Sequence, residues 1–170
     1  MEKVAGRLVG DVLVPDVAEY LAEVQDILES PTVQSMKEYI QHGTTNCLEH
    51  CVSVSYRSYC TCKEYGLNAR AAARAGLLHD MFLYDWHTHK LATGEGLHGF
   101  THPRKALENA EKEFDLTPLE REIILKHMWP LTVTPPKYPE AYVVLYHDKI
   151  CSLRETLGRP DVRLLAETGE

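Results

Sequence analysis

The sequence predicts an all-α fold, a single-domain helical bundle of about six to seven helices. Three observations carry that expectation. Apolar residues recur at helical spacing in one segment after another, as Val17, Tyr20, Leu21, Val24 and Leu28 do. The segments are punctuated by helix signals, most plainly Thr117-Pro118-Leu119-Glu120, a capping box with proline at the first helical position. Finally, His50, His79, Asp80, His102, His127 and Asp148 are metal-donor side chains spread over at least four helical segments. Only a bundle would bring such donors together, and bundle cores are one place where metal sites are built.

At 170 residues the chain is long enough for one domain with one core. Residues 1–15 read as an N-terminal arm, 16–158 as the helical domain and 159–170 as a C-terminal tail. In the arm, Leu8, Val9, Val12, Leu13 and Val14 suit a short strand or an extended segment packed on the body. Pro15-Asp16 opens the first helix, and Ser30-Pro31 stops it and starts the second. The second helix is expected to run to about Gln41, with His42-Gly43 as its C-terminus. Thr44, Thr45 and Asn46 offer capping oxygens for a long third helix, about Cys47 to Tyr65, closed by Gly66. His50 falls on the flank of its inward face. Asn68 caps a fourth helix rich in small residues (Ala69, Ala71, Ala72, Ala73, Ala75 and Gly76), which permits close packing and makes this segment central. His79-Asp80 stands at its C-terminal end.

Between Met81 and Phe100 the helical pattern breaks into a long connection containing Trp86, His87, His89 and His98. Loops of this length in compact domains are more often functional than idle. Its glycines and aromatic residues suit a lid over a substrate, and its histidines are further donors. The plainer reading is a surface loop anchored by Trp86. Thr101-His102-Pro103 begins a fifth helix, the capping box at Thr117 begins a sixth that runs to His127-Met128-Trp129, and Pro130 ends it. Residues 130–139 hold four prolines and exclude helix. The last helix, about Glu140 to Leu157, carries Asp148.

The net charge of -7, with no stripe of Lys and Arg, argues against a nucleic-acid-binding patch. An acidic surface still admits a phosphorylated substrate, because a bound divalent ion reverses the local charge. No segment has the roughly 18 apolar residues of a membrane span, and the N-terminal residues lack the apolar centre of a signal peptide. Five cysteines, Cys47, Cys51, Cys60, Cys62 and Cys151, are an odd number without a secretory context. They read as free thiols of a cytoplasmic protein. Cys47 and Cys51 would share a helix face near His50; small buried thiols are the simpler reading than a zinc pair.

Mixed histidine and carboxylate donors suit a metal site with open positions for water and substrate, whereas a closed cysteine shell suits structural zinc. His50, His79, Asp80 and Asp148 supply four such donors from three helices. Asp80 can use both oxygens and bridge to a second ion completed by His102 and His127. Such a pair of ions, about 3.5–4 Å apart, clamps an attacking water against a phosphoryl group.

These residues, at these intervals, resemble the HD-domain superfamily of metal-dependent phosphohydrolases. The flanking segments His42-Gly43-Thr44-Thr45, Gly76-Leu77-Leu78-His79-Asp80, Gly99-Phe100-Thr101-His102-Pro103 and Lys126-His127-Met128-Trp129-Pro130 look like a bacterial subgroup of HD proteins. The resemblance covers roughly Gln41 to Leu157. It implies an HD-type all-α fold and hydrolysis of a phosphomonoester or phosphodiester, often of a nucleotide, by a metal-bound hydroxide. It implies one or two divalent ions (Mn, Fe, Mg, Co, Ni or Zn), with His79 and Asp80 at the catalytic centre. A few HD relatives use two irons for oxygenation, and the same donors would serve that chemistry; a third reading is a non-catalytic metal- or nucleotide-binding module. The sequence also departs from the superfamily. Met81-Phe82-Leu83-Tyr84-Asp85 follows the His-Asp pair where many members have a lysine, and the Gly-Tyr-Pro motif of cyclic-dinucleotide phosphodiesterases is missing. A phosphate-holding cation must therefore come from elsewhere. Arg104, Lys105, Lys126 and Lys149 are candidates, with His42, Trp86 and Trp129 as further substrate contacts. Trp129, read as exposed, and the proline-rich 130–139 loop are candidates for a homodimer contact or a pocket rim.

Overall fold

The computed structural model describes residues 6–9, 12–15, 17–84 and 98–158, with only the backbone described for 6–9, 12–15, 98 and 99. Seven α-helices dominate these residues: α1 (Val17–Leu28), α2 (Pro31–Ser35), α3 (Cys47–Glu64), α4 (Ala69–Leu78), α5 (His98–Ala110), α6 (Pro118–Lys126) and α7 (Pro139–Thr156). Two small antiparallel hairpins accompany them. One pairs β1 (Gly6–Val9) with β2 (Val12–Pro15), so the N-terminal apolar residues form strands. The other pairs β3 (Ile40–His42) with β4 (Thr45–Asn46). The protein is therefore mostly helical, and no described helix is long and apolar enough to cross a membrane.

The centre of the bundle is α3 against α4, with α7 on α3 and both α1 and α6 on α4. Every residue of α4 except Arg70 is buried. Its small side chains let the two backbones touch: a Cβ added at Gly76 would lie 3.0 Å from the Ser55 Cα. Ser55 Oγ donates to the Ala73 carbonyl at 2.6 Å and accepts from the Tyr20 hydroxyl at 2.9 Å, tying α1, α3 and α4 at one point. Arg74, also buried, forks onto both oxygens of Asp26 at 2.6 and 2.9 Å and lies 3.3 Å from Glu120 on α6. Bidentate pairs of this kind fix orientation as well as charge. The helix ending in His79-Asp80 is thus clamped on three sides.

The caps read from the sequence hold. Ser30 accepts from the Val33 N–H, Asn46 and Thr117 each form a full capping box, and Asn68 accepts from the Ala71 N–H. The second helix is the main departure. It ends at Ser35, passes through a 3-10 turn at Met36–Glu38 and becomes extended from Tyr39. Gly43, at φ +58°, is the turn of a hairpin and not a helix C-terminus. The reason is tertiary: the extended segment buries Gln41 beside Asp80, which a continuing helix would not do. α5 starts three residues before the expected Thr101, so Pro103 sits inside it. α6 stops at Lys126, with His127 as its cap.

Candidate metal centre

The six donors predicted from the sequence converge. His50, His79, Asp80, His102, His127 and Asp148 are all buried. His50 Nε2 lies 3.2 Å from Asp148 Oδ1 and 3.9 Å from Asp80 Oδ2. His79 Nε2 is 3.4 Å from Asp80 Oδ2 and 3.6 Å from Asp148 Oδ1. On the other side, Asp80 Oδ1 is 3.2 Å from His102 Nε2 and 3.5 Å from His127 Nε2, and these two nitrogens are 2.8 Å apart. Asp80 therefore divides its oxygens, one facing His50 and His79, the other His102 and His127.

Local structure aims the histidines. His79 caps α4 and His127 caps α6, both with helical backbone angles. Each bonds through Nδ1 to the carbonyl three residues back, His79 to Gly76 at 2.8 Å and His127 to Ile124 at 2.7 Å. A carbonyl only accepts, so Nδ1 carries the proton and Nε2 points into the cluster. His50 instead rises from the second turn of α3, and its Nδ1 meets the Glu155 carboxylate of α7 at 2.9 and 3.2 Å.

Charge follows this geometry. Burial pulls the His50 pKa down, but the bonds to Asp148 and Glu155 outweigh it and hold it well above the ordinary histidine range. For His79 burial acts the same way and the Asp80 charge overcomes it. Asp80 and Asp148 lie well below the usual carboxylate range, because the surrounding imidazoles overcome their burial. Burial, with His102 and His79 as like-charged neighbours, pushes His127 down to about 3.

The donor set fits a divalent ion. Ligand atoms bound at ~2.0–2.1 Å to one ion sit roughly 3–3.5 Å from one another, the range most of these nitrogens and oxygens already occupy. Buried His79 Nε2 and Asp80 Oδ1 have no hydrogen-bond partner, a situation that folded proteins rarely tolerate in the absence of a ligand. Three overlapping groups, His50/His79/Asp80, His79/His127/Asp148 and Asp80/His102/His127, bring one ligand atom per residue within 4.8 Å. Among the described residues no such group includes a cysteine. Cys47 and Cys51 are buried beneath the site, where Cys47 Sγ donates to the Asp80 carbonyl at 3.3 Å and burial raises the Cys51 thiol well above its usual range. The buried-thiol reading of these two residues holds.

The proposed substrate contacts divide. Lys149 Nζ reaches Asp148 Oδ2 at 2.7 Å from a half-exposed side chain and also lies 3.3 Å from Met128 Sδ. It stands at the edge of the cluster. His42 is partly buried, its ring 5.4 Å from that of His50. Arg104 and Lys105 are exposed on α5, and among the described residues neither they nor Lys126 bonds to a donor of the cluster. Trp129 is half-buried, not exposed, because its ring packs edge-on against Tyr142 at 6.0 Å. Trp86, His87 and His89, with the side chain of His98, lie outside the described residues.

Two residues of the site were not picked out from the sequence. Gln41 donates from Nε2 to Asp80 Oδ2. Nothing in a neutral amide on an extended segment announces that role. Glu155 had a signal, since it lies seven residues after Asp148 on one helix and so shares its face. No family model matches the chain, and neither a curated protein nor a solved structure matches it.

Proposed function

We propose that the chain is a metal-dependent phosphohydrolase of the HD type, acting on a phosphomonoester or phosphodiester of a small molecule such as a nucleotide. The observation that carries this reading is the division of Asp80 between two pairs of histidines. His50, His79, Asp80 and Asp148 would hold one divalent ion, and Asp80, His102 and His127 a second. Bound there, such ions neutralise phosphoryl oxygens and lower the pKa of a coordinated water toward 7. The chain's own residues do the rest. Gln41 donates to Asp80 Oδ2 and so restrains the carboxylate between the two pairs of histidines. The backbone carbonyls of Gly76 and Ile124 fix the tautomers of His79 and His127. Lys149, the one of the four candidate cations that pairs with a donor of the cluster, would be the one to meet a phosphate oxygen. It pairs with Asp148 Oδ2, and were that carboxylate to hold an ion, Lys149 would stand free at its edge.

The test is hydrolysis of a panel of nucleotides, phosphomonoesters and phosphodiesters by the full chain with Mn, Mg, Co, Ni or Fe. Metal-dependent phosphate or nucleotide release is the expected result. A protein that binds iron tightly, consumes oxygen and hydrolyses nothing would overturn this reading in favour of an oxygenase.

A further inference from the structure

His50 differs from His79 and His127 in what stands behind it. Its Nδ1 lies 2.9 Å from Glu155 Oε2 and 3.2 Å from Oε1, across 105 residues of chain. Glu155 is 4% exposed and sits in the last turn of α7. That position is unfavourable twice over. The negative end of the helix dipole repels a carboxylate there, and burial strips the group of water. The fold nevertheless builds the place with care. Gly43, at the turn of the β3–β4 hairpin, approaches so closely that a Cβ on it would lie 2.9 Å from the Glu155 carbonyl oxygen. The hairpin therefore lies directly on the turn that carries Glu155, and the same hairpin delivers Gln41 to Asp80.

We propose that Glu155 is a positioning residue: it fixes the His50 ring with Nδ1–H pointing away from the cluster and strengthens Nε2 as a metal donor. The inference rests on the metal-centre reading above. It assigns unequal strength to the two metal positions. The position built on His50, His79, Asp80 and Asp148 has two carboxylates as ligands and a third behind His50. Among the described residues the position built on His102 and His127 shows one carboxylate, the shared Asp80, and His127 is backed by a neutral carbonyl. The first position therefore fills first, and Glu155 contributes to the gap. Carboxylates behind ligating histidines raise ligand basicity, and their loss typically weakens metal affinity about 10–100-fold.

The experiment is calorimetric titration of chelator-stripped full chain with Co(II), followed in parallel by the visible absorption of the bound ion. Glu155→Gln keeps the shape and an oxygen acceptor for Nδ1–H. It should lower the affinity of the first ion about 10–100-fold, shift the absorption of that ion alone and leave the second step within a few-fold of the parent. An unchanged first step in a variant that melts as the parent does would overturn the inference while leaving the metal centre intact. A parent that binds no divalent ion would overturn the metal-centre reading and this inference with it. A second measurement needs no variant. Long-range nitrogen NMR of the parent loaded with Cd(II) should show His50 protonated at Nδ1 and coordinated through Nε2. Coordination through Nδ1, with the ion between His42, His50 and Glu155, would make Glu155 a ligand and sink the positioning role; those three residues also group within 4.8 Å.

Discussion

His79 and His127 close the helices that carry them, whereas His50 rises from within one. The first two take their orientation from backbone three residues away, through bonds of 2.8 and 2.7 Å to Gly76 and Ile124. His50 takes its own from a carboxylate on another helix. The difference separates two ways of aiming a ligand. A histidine that caps its own helix is placed as soon as that helix forms. One that leans on a distant glutamate is placed only when α3 and α7 have docked. It gains in return a charged partner that a backbone carbonyl cannot supply. Asp80 joins them: its Oδ2 faces His50 and His79, one histidine of each kind, and its Oδ1 faces His102 and His127.

The largest effect is expected where the two halves meet. Asp80→Ala removes the carboxylate that both share, so metal retention and hydrolysis should fall together, the latter to background. Metal analysis of the purified variant beside its turnover checks this. Full metal content, or undiminished turnover, would show that neither half depends on Asp80.

His127→Ala touches one half only. Metal titration should give two equivalents in the parent and one in the variant, with the first affinity kept. One equivalent in both proteins would return His102 and His127 to a substrate-binding or structural role. Loss of both equivalents would show that the halves are not separable.

A smaller but sharper difference lies in protons. His50 and His79 are held above the ordinary histidine value of ~6.5, so both are protonated in the metal-free protein at neutral pH. Their contribution to the metal-free fold is complete below that ordinary value and is lost as pH rises through the raised ones. Asp80 and Asp148 work in the opposite sense: their contribution is present above the ordinary carboxylate range and is lost as pH falls through their lowered values. His127, pushed down to about 3, carries no second proton near neutrality. Metal binding must displace protons from ligands that hold them. Loading of the His50 half should therefore release protons, and its affinity should rise with pH from neutrality up to the raised histidine values, while His127 releases none. Calorimetry in buffers of different ionisation enthalpy counts them. The count for the first ion should be equal in the parent and His127→Ala, and a lower count in the variant would assign a displaced proton to that residue.

Much of this was legible in the chain. The capping chemistry at Asn46, Asn68 and Thr117 marks where α3, α4 and α6 begin, because side-chain oxygens meet orphaned N–H groups within three residues. The alanine-rich run through Gly76 announced a helix packed at backbone distance, and Gly76 meets Ser55 in that way. The six donors were legible too, as residue types at helix ends and on helix faces. The region around Gly43 was not. A glycine after a histidine serves a helix C-terminus or a hairpin turn equally well, and only the burial of Gln41 against Asp80 decides between them. α5 was misplaced by three residues for a related reason: a proline is tolerated inside it, which local rules discourage.

Neighbours a few residues away suffice for most of the helices, their caps, the small-residue seam and the inventory of donors, and these were readable from the chain. The tertiary structure alone decided which oxygen of Asp80 faces which histidines. It also decided that Gln41 and Glu155 stand behind them and that Lys149, of the four candidate cations, touches the cluster. Those facts depend on contacts such as the 105-residue separation of His50 and Glu155. Such contacts are set by how α3, α4 and α7 pack, a choice that no local pattern encodes.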